Sequence, residues 1–309
     1  MVSQAIGAAI VVFLTVDVFL TVFHAQGHAG PFTRLQMRAV WALARMVGVR
    51  RHGPPRDALL GLAAPFMVVL TLALWVLLLV IGFALIYLPH VQSFLFSPGG
   101  LRTPWWEALY YSGYTAATLG LGDMVPDLTG LRLLTVLEAF TGFALLSVSV
   151  TYMLAVYREL IAKRSLASDI AGYFRTGVTQ VRHFMSGEGR NEVARWTEDI
   201  TSSLLHVMEA HFQYPVLHYY RSSDPDRALP LQLAPLLRTF GDDSPRQDPV
   251  EHHPSLRSMR DAVRVYLMTV EDVFIPRRFH AAVDSGDSVE RAHRRLLSYM
   301  AYDHEAQDV

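Results

Sequence analysis

Residues 58 to 88 form 31 consecutive positions without a formal charge. A helix rises about 1.5 Å per residue, so this run exceeds what is needed to cross a hydrocarbon core about 30 Å thick. Two further stretches have the same character. Residues 5 to 23 are apolar except for Asp17 and two threonines, and residues 133 to 157 are interrupted by a charge only at Glu138. In lipid every backbone donor and acceptor must be satisfied within the segment, so each stretch is expected to be a helix. Residues 1 to 4 lack the basic start of a signal peptide and Asp17 interrupts the apolar run, so the first segment is expected to remain as a span.

Charge divides the chain in two. Residues 1 to 164 carry 18 of the 55 Asp, Glu, Lys and Arg side chains, and residues 165 to 309 carry the other 37. A membrane-embedded first half and a water-exposed second half follow. The formal net charge of −1 comes without a basic block, which excludes a nucleic-acid partner. With no cysteine, the chain has neither disulfides, thiolate metal sites nor a cysteine nucleophile. Its 26 arginines against the single Lys163 suggest GC-rich bacterial coding, and with it a bacterial inner (plasma) membrane.

Between the first two spans lie Arg34, Arg38, Arg45, Arg50, Arg51 and Arg56 against one acid, Asp57, which the positive-inside rule assigns to the cytoplasm. Leu35, Val40, Trp41, Leu43 and Met46 alternate with these arginines in helical rhythm, as in a helix lying along the membrane surface. Arginines so placed do not make a voltage sensor, which needs them on an apolar spanning helix. Alternation then puts the N-terminus and residues 89 to 130 outside. Arg158, Lys163 and Arg164 follow the third span inside, making the C-terminal half cytoplasmic. The expected domains are an N-terminal span (1–30), a basic linker (31–57), a central membrane module (58–164) and a cytoplasmic domain (165–309).

The C-terminal half reads as helices. Val193, Trp196, Ile200, Leu204 and Val207 recur at three to four residues, as do Leu256, Met259, Val263, Tyr266, Val270 and Phe274. Asp287 and Glu290 predict a capping box opening a last helix through Met300, and the Asp-, Pro- and His-rich stretch from Asp242 to Pro254 predicts a loop. No strand alternation or GxGxxG occurs there, so a helical bundle is expected rather than a nucleotide-binding α/β fold. His206 and His211, with Glu209 and His218 nearby, are five residues apart, which does not share a helix face, and His252 and His253 lie in the loop. These histidines are expected to be solvated or internally bonded rather than metal ligands. A cytoplasmic pH response through them stays open. No catalytic constellation is present, and no enzyme is expected.

The chemistry concentrates in Pro104 to Pro126, PWWEALYYSGYTAATLGLGDMVP. Pro104 suits a first helical position, and residues 104 to 117 predict a short helix. Thr118, Leu119, Gly120, Leu121, Gly122 and Asp123 follow. Alternating glycines allow backbone conformations closed to other residues, so successive carbonyl oxygens can face one axis and replace the water of a dehydrated cation.

This segment resembles the re-entrant pore loop and filter of tetrameric potassium channels, which reads T-V-G-Y-G-D, and the likeness covers residues 59 to about 157 as outer helix, pore loop and inner helix. The resemblance implies an all-α membrane protein with three transmembrane helices, a re-entrant pore helix and filter loop, and a cytoplasmic helical domain. It further implies that K⁺ is the permeant ion, held by Thr118, Leu119, Gly120 and Leu121 with Gly122 beside them and Asp123 at the outer mouth. One pore loop per chain implies a homotetramer in membrane lipid. No cofactor is expected, and an unidentified ligand of the cytoplasmic domain stays open. Gly142 falls where the family has an inner-helix hinge, which places Phe143, Leu146, Val150 and Leu154 along the cavity and gate.

Leu121 replaces the family's Tyr, as in second pore loops of tandem-pore potassium channels, and so cannot brace the filter with a hydroxyl. Tyr110 and Tyr111 stand where some members have a Trp pair, with Tyr110 able to tie down Asp123, and Ala117 replaces a Thr. Glu138, one turn before Gly142, is expected either to brace the pore helix through Tyr114 or Ser112 and make the filter pH-sensitive, or to snorkel. Asp17 is expected to pair between helices with Thr21, His24 or an arginine. The function expected is passive K⁺ conduction. The alternatives are a weakly selective cation channel, or a non-conducting membrane sensor or scaffold acting through its cytoplasmic domain.

Overall fold

The computed structural model describes residues 1–24, 28–49, 54–96, 103–175, 190–240, 254–276 and 288–302. It is an all-α membrane protein. Three described helices are long and apolar enough to cross a bilayer: α1 (Val2–Val22), α3 (Pro54–Tyr87) and α5 (Thr129–Arg175). Between them run α2 (Pro31–Val49) and the short α4 (Pro104–Ala116), and α6 (Arg190–Gln213), α7 (Leu229–Phe240), α8 (Pro254–Phe274) and α9 (Ser288–Tyr299) follow. The chain divides into two compact units, residues 1–38 with 66–155, and residues 39–65 with 156–309.

Two membrane helices exceed their apolar runs. Helix α3 begins at Pro54, ahead of the uncharged run that opens at residue 58, and α5 extends to Arg175 instead of stopping near 157. Hydropathy marks the lipid-facing part of a helix, whereas continuation into water needs only helix-forming residues, and 158–175 contain neither Gly nor Pro before Gly172. Pro65 lies inside α3, where it removes one backbone donor at the division between the units.

In the first unit the core is formed by Leu14, Trp75, Leu79, Phe83, Tyr87 and Tyr111, among others. Helices α1 and α3 touch backbone to backbone, since a Cβ on Gly7 would run into the Gly82 carbonyl. Small residues permit such close approach, which in lipid must come from packing rather than from hydrophobic exclusion. Among the described residues the buried Asp17 carboxylate does not pair with Thr21, His24 or an arginine. Its Oδ1 accepts the backbone N–H of Phe32 at 2.9 Å and of Thr33 at 3.3 Å, while Oδ2 accepts Thr33 Oγ1 at 2.6 Å and Trp75 Nε1 at 3.2 Å. A carboxylate is a natural cap for the unpaired N–H groups that open a helix, here α2. Thr21 serves the same turn by accepting the Gly30 N–H at 2.9 Å.

The second unit is a helical bundle with α8 packed against α6 and α9. Leu256, Met259, Val263, Tyr266 and Val270 of α8 are buried, as are Val193, Ile200, Leu204 and Val207 of α6. Trp196 stacks face to face on Tyr173 at 3.7 Å. Residues 39–65 belong to this unit: Trp41 packs on Tyr219 and Tyr299, Arg56 donates to the Ala301 carbonyl at 3.2 Å, and Asp57 pairs with the buried Arg221 at 2.6 Å. The end of α5 is anchored by the buried Lys163, whose Nζ donates to the carbonyls of Leu217 at 2.9 Å and Tyr220 at 3.4 Å. Asp287, His252, His253 and the expected loop ahead of Pro254 lie outside the described residues.

Candidate functional site: the loop between α4 and α5

Helix α4 starts with Pro104 in its first turn and Glu107 near its positive end, both favourable there. Its other end closes in a Schellman motif. The Leu119 N–H bonds to the Tyr114 carbonyl and the Thr118 N–H to that of Thr115, both at 2.9 Å. This motif requires a left-handed residue at its turning point, which is usually glycine; here it is Thr118, with φ +56°. A β-branched residue held there is strained, and strain of that kind persists where the surroundings impose it.

The left-handed conformation then recurs at every second residue, at Gly120 with φ +57° and Gly122 with φ +78°. Nothing within 4 Å would meet a Cβ on Gly120, so backbone conformation rather than space calls for glycine. In an ordinary strand successive carbonyls point to opposite sides. Reversing the hand at alternate residues is the way a chain of L-residues turns them toward one side. Residues 117 to 122 are exposed in the single chain, as are Phe143, Leu146, Val150 and Leu154 on α5. The C-terminal end of α4, where a helix carries partial negative charge, opens onto this segment and favours a cation.

Behind the loop stands a layer of aromatic side chains. Tyr110 donates to Asp123 Oδ2 at 2.9 Å, and Tyr114 donates to the Met124 carbonyl at 2.9 Å. The Tyr111 hydroxyl lies 2.6 Å from Thr135 Oγ1 on α5. Edge-to-face contacts join Tyr111 to Tyr87, Phe94 and Tyr114.

Glu138 is fully buried, and Ser112 Oγ lies 2.5 Å from its Oε1 and 2.9 Å from the Val80 carbonyl. Ser112 on α4 links Val80 of α3 to Glu138 of α5. The partner is thus Ser112; Tyr114 is committed to Met124. At Gly142, helix α5 runs on without a break, and a Cβ would collide with the Ala116 carbonyl at the end of α4. This glycine is demanded by contact with the end of α4.

Three features of the site carried no periodic signal. Strands β1 (Phe94–Phe96) and β2 (Met124–Pro126) pair antiparallel, with Leu95 opposite Val125, and so fix the chain leaving the loop. Arg132 Nε donates to the Pro126 carbonyl at 2.9 Å, and Thr135 receives Tyr111. Among the described residues no group of three or more His, Asp or Glu is placed to hold a metal ion.

Residues 73–159 match a protein family described as "Ion channel". The match runs from the second half of α3 through α4 and the loop after it to Glu159 of α5. The chain is also 27% identical over 264 residues to YdjJ, an uncharacterised membrane protein of Bacillus subtilis (strain 168), covering 84% of this chain and 75% of the relative. No solved structure matches the chain.

Proposed function

We propose that four copies of this chain form a potassium-selective channel that conducts K⁺ passively. The carrying observation is the left-handed backbone at Thr118, Gly120 and Gly122, alternate residues of TLGLGD between α4 and α5. Carbonyls of Thr118, Leu119, Gly120 and Leu121, with the Thr118 hydroxyl, replace the ion's water in stacked rings, Gly122 completes the filter and Asp123 faces the outer mouth. The exposed apolar positions Phe143, Leu146, Val150 and Leu154 line the inner cavity once four chains surround it. Gly142 holds α5 close to α4 and is the inner helix's hinge. The basic 31–57 stretch puts that segment in the cytoplasm of a bacterial cell, the N-terminus outside and the C-terminal domain inside. No cofactor takes part, and the C-terminal domain serves assembly or binds a regulatory ligand.

A specific residue favours a second reading. Leu121 is 55% exposed and has no hydroxyl with which to brace the filter, so a weakly selective cation pore is the alternative. The test is K⁺ efflux from liposomes holding the full chain. The wild type releases K⁺, and Gly120→Asp, which places a charged side chain at a left-handed position, abolishes release while the C-terminal bundle still folds. Efflux unchanged in that variant would remove the filter from the pathway.

A further inference from the structure

Helix α2 has two dissimilar faces. One is buried and carries Thr33, Gln36, Met37 and Trp41, with Gln36 accepting from Thr71 Oγ1 at 2.8 Å. The other is exposed and carries Leu35, Leu43, Met46 and Val47 together with Arg34 and Arg38. Leu35 is 68% exposed and Met46 57%, which is costly in water for side chains of that size. Among the described residues neither Arg34 nor Arg38 takes part in an ion pair. No acid occurs from residue 31 to 56.

We propose that this exposed face of α2 is a seat for anionic phospholipids, with Leu35, Leu43, Met46 and Val47 immersed at the acyl boundary and Arg34 and Arg38 binding headgroup phosphates. The geometry fits an interfacial helix, because apolar and cationic side chains share one face and α2 is held by its buried face and by the Asp17 cap at its start. Charge chooses the occupant. A second copy presenting the same face would set arginine against arginine, whereas an anionic leaflet neutralises both. Arginine also suits the task, since its planar fork bonds two phosphate oxygens together.

The absence of native cysteine allows a single nitroxide at Leu43→Cys in the full chain, reconstituted in phosphatidylcholine vesicles with or without phosphatidylglycerol. The label should be reached by oxygen and shielded from a water-soluble nickel complex. Retention of phosphatidylglycerol by the detergent-purified protein, counted by native mass spectrometry, should fall about 25-fold in Arg34→Gln/Arg38→Gln, taking about fivefold per arginine at an anionic surface. Arg34→Lys/Arg38→Lys should recover most of it, which separates lost charge from lost folding. A label open to the nickel complex would overturn the proposal, as would spin–spin broadening between neighbouring copies. Lipid retention equal in the wild type and the Gln variant would overturn the role of the arginines. None of these readouts depends on conduction.

Discussion

Thr118 occupies a left-handed position because the Schellman closure of α4 requires one there, and glycines two and four residues on continue the alternation. This much was legible in the hexapeptide, since alternating glycines have few other uses. The reason for Gly142 was not, because the obstacle to a side chain is a carbonyl 26 positions earlier in sequence, at Ala116. Gly142→Ala should therefore force α4 and α5 apart, lowering stability by about 1–3 kcal/mol as overpacking does. Thermal unfolding in detergent reads this, and K⁺ efflux should fall with it; an unshifted transition would contradict the close contact. Glu138 gives a second prediction. The amide of Glu138→Gln keeps an oxygen that can accept from Ser112 Oγ, so its efflux should stay near wild type. Glu138→Ala removes that partner and leaves a cavity, and should reduce efflux. Loss in both variants alike would mean that an ionised carboxylate is needed.

Among the elements, long helices were readable from uncharged runs and from three-to-four-residue spacing, while β1 and β2 were not. Strands of three residues carry no measurable alternation, and their pairing joins positions about thirty residues apart. Asp17 was readable as a polar contact but its partners were not, because two of them are backbone N–H groups that appear only once α2 has started at Pro31. Asp17→Ala leaves four donors without their acceptor and should cost about 3 kcal/mol or more; faster proteolysis between α1 and α2 would report it. In the C-terminal bundle, burial pushes His211 down to about 3, assisted by the Lys163 charge and opposed by the Val207 carbonyl that it bonds. Burial likewise holds His218 well below the ordinary histidine range, with His211 and Lys163 adding to the effect, and its ring stacks on Phe274 and Tyr299. Unfolded, each titrates near about 6.5, so below that pH only the unfolded chain gains these protons. Their stability contribution is complete above about 6.5 and declines as pH falls toward the folded values, by about 1.4 kcal/mol per pH unit for each histidine. Circular-dichroism melts of the full chain should show a bundle transition that moves down between about pH 7 and 5. His218→Phe should flatten that dependence, and an equal slope in the variant would contradict it.

At the scale of the molecule, residues 39–65 and the long end of α5 belong to the same unit as the C-terminal helices. Sequence divided the first of these between the basic linker (to residue 57) and the membrane module (from residue 58), because arginine content describes solvent contact and does not reveal that Trp41 meets Tyr219 and Tyr299 or that Arg221 meets Asp57. The C-terminal unit thus incorporates the start of α3 and the end of α5, the two helices on either side of α4 and its loop. Selectivity at Thr118 to Gly122 is tested by the reversal potential of the purified full chain in a planar bilayer, with K⁺ on one side and Na⁺ on the other. A reversal near the K⁺ equilibrium potential is expected; robust current reversing near zero would contradict the proposed potassium selectivity and leave Leu121 as the mark of a less discriminating pore.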